Sequence, residues 1–307
     1  MRRMTHSFIR FHQIFVFCLG IFGVAGAGAG ESSSARYVFI ISYDQGNPDL
    51  LQRTELPEYH RMAREGARTW EAYTIVPSIT LPSHVSMLTG VGIQKHQVTW
   101  NRHDPKRGFV KAPTIFSLAK ERGLKTAMIV GKEKFRCLEI PGTVDWFVCS
   151  KDRSDAKSVA ECFAEEFGTR KPNLVFLHFA DPDRAGHSYG VASPQKIQAL
   201  KDCDEALKII REAVAAAGAL EESVFLLTAD HGSHDERKED GTLAGTHGSA
   251  ETADVQIPWV AWGKGVKKNF TISAPVVIYD TAATALWVLN VPLPEGFWGR
   301  PVISAFE

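Results

Sequence analysis

Three long apolar runs dominate the chain, at residues 37–42 (YVFIIS), 174–179 (LVFLHF) and 224–229 (VFLLTA). They are rich in β-branched and aromatic residues, and polar residues do not alternate with the apolar ones. Such runs predict strands that are buried on both faces, as the strands of a parallel sheet are. A shorter run at 126–130 predicts a further strand of the same kind.

Helical patterns separate these runs, at residues 57–65, 114–122, 154–166 and 194–217. Strands that alternate with helices predict the α/β class, here a mostly parallel central sheet with helices on both faces. No repeat and no linker rich in Pro, Gly or Ser interrupts the chain after its first thirty residues. Residues 31–307 are therefore predicted to form a single domain.

The first thirty residues differ from the rest of the chain. Three arginines precede an apolar stretch at 14–24, and a run of alternating Ala and Gly follows it. This order predicts a secretory signal peptide over residues 1–30, with cleavage shortly after Ala27 or Ala29. A retained membrane anchor is the alternative, although the apolar stretch is shorter than the roughly 20 residues that span a bilayer. We expect an exported protein, periplasmic or extracellular, with no stable membrane span after cleavage.

Composition excludes some classes of partner. Basic and acidic residues number 35 each, and removal of the first thirty residues leaves 32 basic against 35 acidic residues, a formal charge of −3. No basic surplus points to a nucleic-acid polymer, so none is expected as a partner. Four cysteines remain after cleavage, and the sequence leaves open whether they pair. They are Cys137, Cys149, Cys162 and Cys203.

Acidic residues follow each of the three strong strands. Asp44 comes after the first, Asp181 and Asp183 after the second, and Asp230 after the third. Because the carboxyl ends of parallel strands meet at one edge of a sheet, these carboxylates are expected to lie close together. They would repel one another unless a cation lay among them, so the topology alone predicts a metal site.

Histidines accompany these carboxylates. His187 lies four residues after Asp183, in a segment with Pro and Gly that predicts a tight turn, and His231 directly follows Asp230. A further ligand could be His247, or the nearer His234 in the polar loop between them. Taken singly, each pattern is more typical of an ordinary turn than of a metal site.

A third pattern lies at residues 77–90 (PSITLPSHVSMLTG). Thr80 occupies the position of an N-cap, Pro82 falls in the first helical turn, and the predicted helix runs to Gly90. A hydroxyl at a helix N-terminus lies beside free N–H groups and the positive end of the helix dipole. This is an environment that suits a phosphoryl group.

The three patterns in this order resemble the type I phosphodiesterase and nucleotide pyrophosphatase family of the alkaline phosphatase superfamily. The resemblance covers nearly the whole mature chain. It rests on the strand that ends at Asp44, on 77–90 with His96 and Asn101 behind it, on D-x-x-x-H, on D-H-G and on T-H-G. It implies an alkaline-phosphatase-like three-layer fold.

The resemblance also implies a set of site residues. One divalent metal would be held by Asp183, His187 and His247, and a second by Asp44, Asp230 and His231, joined by the hydroxyl of Thr80. Zinc is the expected ion, with manganese or iron as alternatives, because the ligands mix nitrogen and oxygen. Thr80 would be the nucleophile of a phosphothreonine route, with the Ser83 hydroxyl and the Leu81 amide as oxyanion donors. Asp181 would not bind a metal itself but would contact one of the metal-binding residues.

Two positions depart from the family pattern: Gln45 stands where the family usually has Gly, and Ser83 stands where nucleotide pyrophosphatases carry Asn. The expected function is metal-dependent hydrolysis of small phosphoric esters. Diesters should be preferred over monoesters, because Leu81 rather than Arg follows Thr80, unless Lys95, Arg102 or Lys132 folds into the site. Alternatives are a phosphomonoesterase or phospho-group transferase of the same superfamily, and a catalytically silent binding protein.

Overall fold

The computed structural model describes residues 34–149 and 154–307, which fall within one compact unit, Ser32–Glu307. The predicted signal peptide at 1–30 lies outside the described residues. Within the described part of the chain, no helix has the length and apolar character needed to cross a membrane.

Most strands join one central sheet. The strands are β1 (Tyr37–Tyr43), β2 (Ala67–Tyr73), β3 (Thr126–Val130), β4 (Trp146–Val148), β5 (Leu174–Phe179), β6 (Ser223–Ala229), β7 (His234–Arg237), β8 (Leu243–Thr246), β9 (Gln256–Gly263) and β10 (Phe270–Thr271). Eight of them form a sheet in the order β10-β2-β9-β6-β1-β5-β3-β4, and β7 pairs with β8 as a separate hairpin.

Helices connect the strands. They are α1 (Pro48–Arg53), α2 (Pro57–Glu65), α3 (Thr80–Thr89), α4 (Ile93–His96), α5 (Ile115–Glu121), α6 (Ala156–Arg170), α7 (Asp181–Tyr189), α8 (Pro194–Ala216), α9 (Thr252–Val255) and α10 (Asp280–Val288). The four helices and four strands predicted from the sequence are all present, with ends shifted by a few residues at most.

The predicted α/β class is confirmed. The block β6-β1-β5-β3-β4 is parallel throughout, whereas β9 runs antiparallel to both β6 and β2. Side chains on β1 alternate between two hydrophobic cores: Val38 and Ile40 face one, Phe39 and Ile41 the other. All four are fully buried. Because a strand turns successive side chains to opposite faces, this division means that both faces of the sheet are covered.

The register of the parallel block sets the site. Tyr43 pairs with Phe179 on β5 and with Ala229 on β6, so the three strands end at the same level. Asp44 and Asp230 are the next residues of their strands, and Asp183 lies in the first turn of α7 after β5. The carboxylates therefore meet at one edge of the sheet, as the sequence predicts.

Three local predictions are wrong. The segment around Asp183 is the helix α7 rather than a tight turn, and the loop between His234 and Thr246 is the hairpin β7-β8. Thr80 is the first residue of α3, whose N-cap is Ile79 in an extended conformation. A threonine one position inside the helix keeps its own N–H among the free amides of the first turn. Of the four cysteines, Cys137, Cys149 and Cys203 carry free thiols in the structure.

Candidate functional site

The first group of candidate metal ligands comes from α7 and from the residues after β8. Asp183 and His187 are four residues apart on a helix, a spacing that puts both side chains on one face. His187 Nε2 lies 3.2 Å from Asp183 Oδ1 and 3.2 Å from His247 Nε2. His247 Nε2 is also 3.7 Å from Asp183 Oδ1. The three atoms thus form a nearly equilateral triangle.

This triangle fits a divalent ion. Ligands around a tetrahedral zinc at 2.0–2.1 Å are separated from one another by roughly 3.3 Å. His247 Nδ1 lies 2.9 Å from the carbonyl of Ser78, which can only accept, so the proton of the neutral ring is on Nδ1. Its Nε2 then offers a lone pair toward the other two ligand atoms. The alternative histidine, His234, is bonded instead to Asp254 at 2.7 Å.

The second group lies at the ends of β1 and β6. His231 Nε2 is 3.6 Å from Asp44 Oδ1, 3.2 Å from Asp230 Oδ2 and 3.4 Å from the Thr80 hydroxyl. His231 Nδ1 lies 2.9 Å from the Gly232 carbonyl, so this ring too turns the lone pair of Nε2 to its neighbours. Gly232 is required because a Cβ there would lie 2.0 Å from the Ala253 carbonyl oxygen.

In this second group, hydrogen-bond acceptor atoms of different residues face one another. Asp44 Oδ1 and Asp230 Oδ2 are buried and have no hydrogen-bond partner in the described residues. Burial and the neighbouring Asp44 carboxylate raise the pKa of Asp230 well above its usual range, and burial followed by His247 lowers the pKa of His231 to about 3. A cation among these atoms would remove the repulsion, so the residues fit a second ion. Asp183 connects the two groups, since its ligand atom also lies within 4.8 Å of those of Asp44 and His231.

Lys132, which follows β3, supplies a positive charge to both groups. Its ammonium lies 2.5 Å from Asp44 Oδ2 and 2.5 Å from Asp183 Oδ2. Burial raises the pKa of Asp44, but Lys132 and a hydrogen bond from His178 outweigh burial and hold that pKa well below its usual range. From the sequence alone, the run 131–134 (GKEK) that contains Lys132 is either a solvated loop or a segment that holds a substrate charge. The structure brings it into the site.

Thr80 is almost fully buried, at 1% exposure, in the first turn of α3. The amide of Leu81, directly after it, donates to Asn101 Oδ1 at 2.9 Å. His84 fixes the same turn, since its Nδ1 bonds the Thr80 carbonyl at 2.8 Å and its Nε2 the Ser42 hydroxyl at 2.8 Å. The Thr80 side chain therefore projects from a backbone that is held on both sides.

Two predicted residues have other partners. The Ser83 hydroxyl accepts a hydrogen bond from Thr74 at 3.1 Å, which leaves its own hydrogen free to donate. Asp181 accepts from the amide of Ala156 at 2.7 Å, at the start of α6, rather than from a metal-group histidine.

Sequence reasoning missed two groups that support the carboxylates. His178, inside β5, bonds Asp44 Oδ2 at 2.9 Å, and a histidine within the otherwise apolar run LVFLHF was a usable signal. Lys196 on α8 is fully buried and donates to Gln45 Oε1 at 2.6 Å, while Gln45 Nε2 lies 3.4 Å from Asp183 Oδ1. Nothing in the helical pattern of α8 distinguishes Lys196 from a surface lysine.

Residues 38–267 match the family model described as type I phosphodiesterase / nucleotide pyrophosphatase. The chain belongs to this family. The predicted family is thereby confirmed, and the motifs at Asp44, 77–90, Asp183, Asp230 and His247 all lie inside the matched range.

Among curated relatives, the human ectonucleotide pyrophosphatase/phosphodiesterase family member 7 is 25% identical over 244 residues, which cover 73% of this chain and 53% of the relative. The GPI ethanolamine phosphate transferase 1 of Neurospora crassa is 25% identical over 271 residues, covering 81% of this chain and 26% of the transferase. The chain thus spans about half the length of the first relative and a quarter of the second.

A solved structure shows the same fold. Murine ectonucleotide pyrophosphatase/phosphodiesterase 5, an inactive threonine-to-alanine variant in complex with AMP, superposes with a TM-score of 0.72 at 17% identity. The match covers 89% of this chain and all of the murine chain. The alkaline-phosphatase-like architecture expected from the sequence is therefore confirmed.

Proposed function

We propose that this protein hydrolyses phosphoric esters, diesters among them, with Thr80 as the nucleophile and two divalent ions held by the two ligand groups. The predicted preference for diesters over monoesters is not kept, because Lys132, one of the cations on which that preference depended, lies in the site. One observation carries the proposal: the Thr80 hydroxyl lies at the N-terminus of α3, 3.4 Å from His231 Nε2, and near it one buried oxygen of Asp44 and one of Asp230 have no hydrogen-bond partner among the described residues. Zinc fits the mixed nitrogen and oxygen ligands, and manganese or iron are the alternatives.

The chemistry follows from the parts. Bound divalent ions would supply Lewis acidity, which lowers the pKa of a hydroxyl and offsets charge on phosphoryl oxygens. Thr80 Oγ1 attacks phosphorus, a bond from Oγ1 to phosphorus forms, and the bond to the leaving-group oxygen breaks. The Thr80 proton leaves with the departing group or passes to solvent. Water then cleaves the bond from Oγ1 to phosphorus: the water oxygen bonds phosphorus, one water proton goes to Oγ1, and the phosphoric acid product is released.

The chain's own residues orient this reaction. The dipole of α3 favours negative charge beside Thr80. The Leu81 amide, predicted from the resemblance as an oxyanion donor, is instead used by Asn101. Asn101 Oδ1 takes the Leu81 N–H, so its Nδ2 group remains as a donor toward a phosphoryl oxygen. Ser83 is a further donor in this proposal, because its hydroxyl hydrogen is not used by Thr74.

The relatives support the proposal. The murine relative is inactive once a threonine is replaced by alanine, and it is in complex with AMP, a phosphate ester. The name of the fungal relative, an ethanolamine phosphate transferase, supports a second candidate, transfer of a phospho-group to an acceptor other than water. Adding an alcohol acceptor to the assay separates the two, because a transferase forms a new ester where a hydrolase releases the acid.

The decisive variant is Thr80→Ala. We expect it to lose hydrolysis of bis(p-nitrophenyl) phosphate by at least about 10³-fold while its metal content stays within error of the parent, because the covalent route disappears. Thr89→Ala is the matched control, since Thr89 lies on the same helix and its hydroxyl donates to the Val85 carbonyl of that helix. Near-parental activity in Thr80→Ala would rule out Thr80 as the nucleophile. Absence of activity in the metal-loaded parent would favour a silent binding protein.

Export is part of the proposal and is supported by the arginine-flanked apolar segment at the start of the chain. N-terminal sequencing of protein from its native source should begin shortly after Ala27 or Ala29. Native protein that still begins at Met1 would contradict export by cleavage and favour a retained segment.

A further inference from the structure

A second lysine from the segment after β3 reaches the surroundings of Thr80. Lys134 Nζ donates to Asn101 Oδ1 at 2.9 Å, and the Leu81 amide donates to the same oxygen at 2.9 Å. An ammonium and the first amide after Thr80 thus converge on one carbonyl oxygen. The sequence leaves open whether the run that contains Lys134, residues 131–134 (GKEK), is a solvated loop or holds a substrate charge.

The position of Lys134 is built into the fold. The neighbouring Phe135 is fully buried and packs edge-on against His84, with ring centroids 4.8 Å apart, and it also contacts His178. His84 in turn bonds the Thr80 carbonyl. The segment that carries Lys134 is therefore fixed to the same residues that fix Thr80.

Lys134 lacks a counter-ion in the part of the chain that the structure describes. It is half-buried and its recorded hydrogen-bond acceptor is the neutral amide of Asn101, whereas Lys132 has two carboxylates. Burial, followed by the charge of Lys132, lowers the pKa of Lys134. A cation that has lost solvation and has no anionic partner is suited to bind an anion.

We propose that Lys134, held by Asn101, binds a second negative charge on the substrate, next to the phosphorus that Thr80 attacks. This inference rests on the proposed function and narrows it. A simple dialkyl phosphate carries one charge and leaves Lys134 without a partner. The substrate class is therefore a phosphoric ester with two charges. The second charge lies either on the phosphoryl group, as in a monoester, or on an acidic group close to it.

Three p-nitrophenyl esters with a common leaving group test the proposal. p-Nitrophenyl phosphate carries the second charge on phosphorus, p-nitrophenyl carboxymethyl phosphate carries it on an adjacent acid, and p-nitrophenyl ethyl phosphate has a single charge. We expect Lys134→Gln to lower kcat/KM for at least one doubly charged ester by about tenfold more than for the ethyl ester, because a charge-assisted hydrogen bond is lost. The doubly charged ester whose kcat/KM falls more identifies where the second charge lies. Lys134→Arg should restore much of that selectivity.

Lys208→Gln is the matched control, because it removes one positive charge from an exposed position of α8 whose partner is Glu205 at 3.9 Å. Metal content is measured on every variant, so that loss of a metal is not mistaken for loss of the subsite. Equal losses on all three esters, or unchanged ratios in Lys134→Gln, would overturn the proposal.

A binding measurement keeps this test separate from the proposed function. In the Thr80→Ala background, calorimetry should show that Lys134→Gln weakens inorganic phosphate at pH 8 by about tenfold more than it weakens dimethyl phosphate. Should the parent hydrolyse none of the esters, the proposed function fails, yet this comparison still decides the role of Lys134. Equal weakening of both anions would contradict that role.

Discussion

Two candidate metal-binding histidines are each oriented by a hydrogen bond from the ring nitrogen that faces away from the candidate metal position. His247 is held by the Ser78 carbonyl and His231 by the Gly232 carbonyl, and both leave Nε2 for the ligand group. The two rings also stack, with centroids 3.7 Å apart. Such outer hydrogen bonds fix the tautomer that a metal ligand needs, which is why they accompany metal-binding histidines generally.

We predict that His247→Ala lowers the metal content from about two ions per chain to about one and abolishes most of the activity. His234→Ala is the control, because His234 is the nearer histidine to His231 in sequence but bonds Asp254. Elemental analysis of the purified variants, alongside the parent, is the measurement. Full metal content in His247→Ala together with a loss in His234→Ala would reverse the assignment.

Some residues of the candidate site could be predicted and others could not. Asp44 and Asp230 were predictable because a strand end fixes where the next side chain emerges. Lys132 and Lys134 were not, because a lysine after a strand is usually solvated, and only packing of Phe135 against His84 turns this segment inward. The assignment of His247 rather than His234 as a candidate metal ligand needed the family pattern. The sequence did not predict the hairpin β7-β8, which starts at His234 and ends directly before His247 in the chain.

A side-chain contact joins the residues that follow β1 to the first turn of α8. Gln45 has a φ of +62°, a left-handed backbone conformation that favours glycine. This conformation explains why the family usually has Gly at this position. Its side chain occupies the space above Gly186, where a Cβ would lie 1.8 Å from Oε1. Lys196 and Asp183 bond the two ends of its amide. In this chain a side-chain bridge therefore supports a ligand of the first group.

This bridge predicts a specific pH dependence of stability. Burial lowers the pKa of Lys196 to about 8 in the folded protein, from 10.5 in the unfolded chain. Between these values the unfolded state binds the proton more tightly, so the folded protein gains stability as pH rises through this range. The gain totals about 3 kcal/mol, because one pKa unit corresponds to about 1.4 kcal/mol.

We expect the free energy of unfolding of the parent to rise relative to Lys196→Met between pH 8 and 10.5, and to hold a constant offset below pH 8. Urea denaturation in the presence of a chelator measures the difference. Lys208→Met, an exposed control on the same helix, should show no such trend. A difference between parent and Lys196→Met that does not change with pH would show that Lys196 is not charged and desolvated in this way.

For the whole molecule, the parallel block of the sheet determines where chemistry can occur. The strands β5, β1 and β6 end at one level and place the carboxylates together, and α3 brings its N-terminus to the same edge. This arrangement was predictable from apolar runs followed by acids. The antiparallel strand β9 was not, because its sequence, QIPWVAWG, includes a proline and reads less clearly as a central strand.

If the proposed function is correct, Thr80 carries the phosphoryl group during turnover. Metal-loaded protein mixed with bis(p-nitrophenyl) phosphate, quenched in acid and digested, can be searched by mass spectrometry for a modified peptide. We expect a p-nitrophenyl phosphoryl group on Thr80 that disappears when the reaction is allowed to finish. A transient adduct on a different residue, with Thr80 unmodified at every time during turnover, would contradict it.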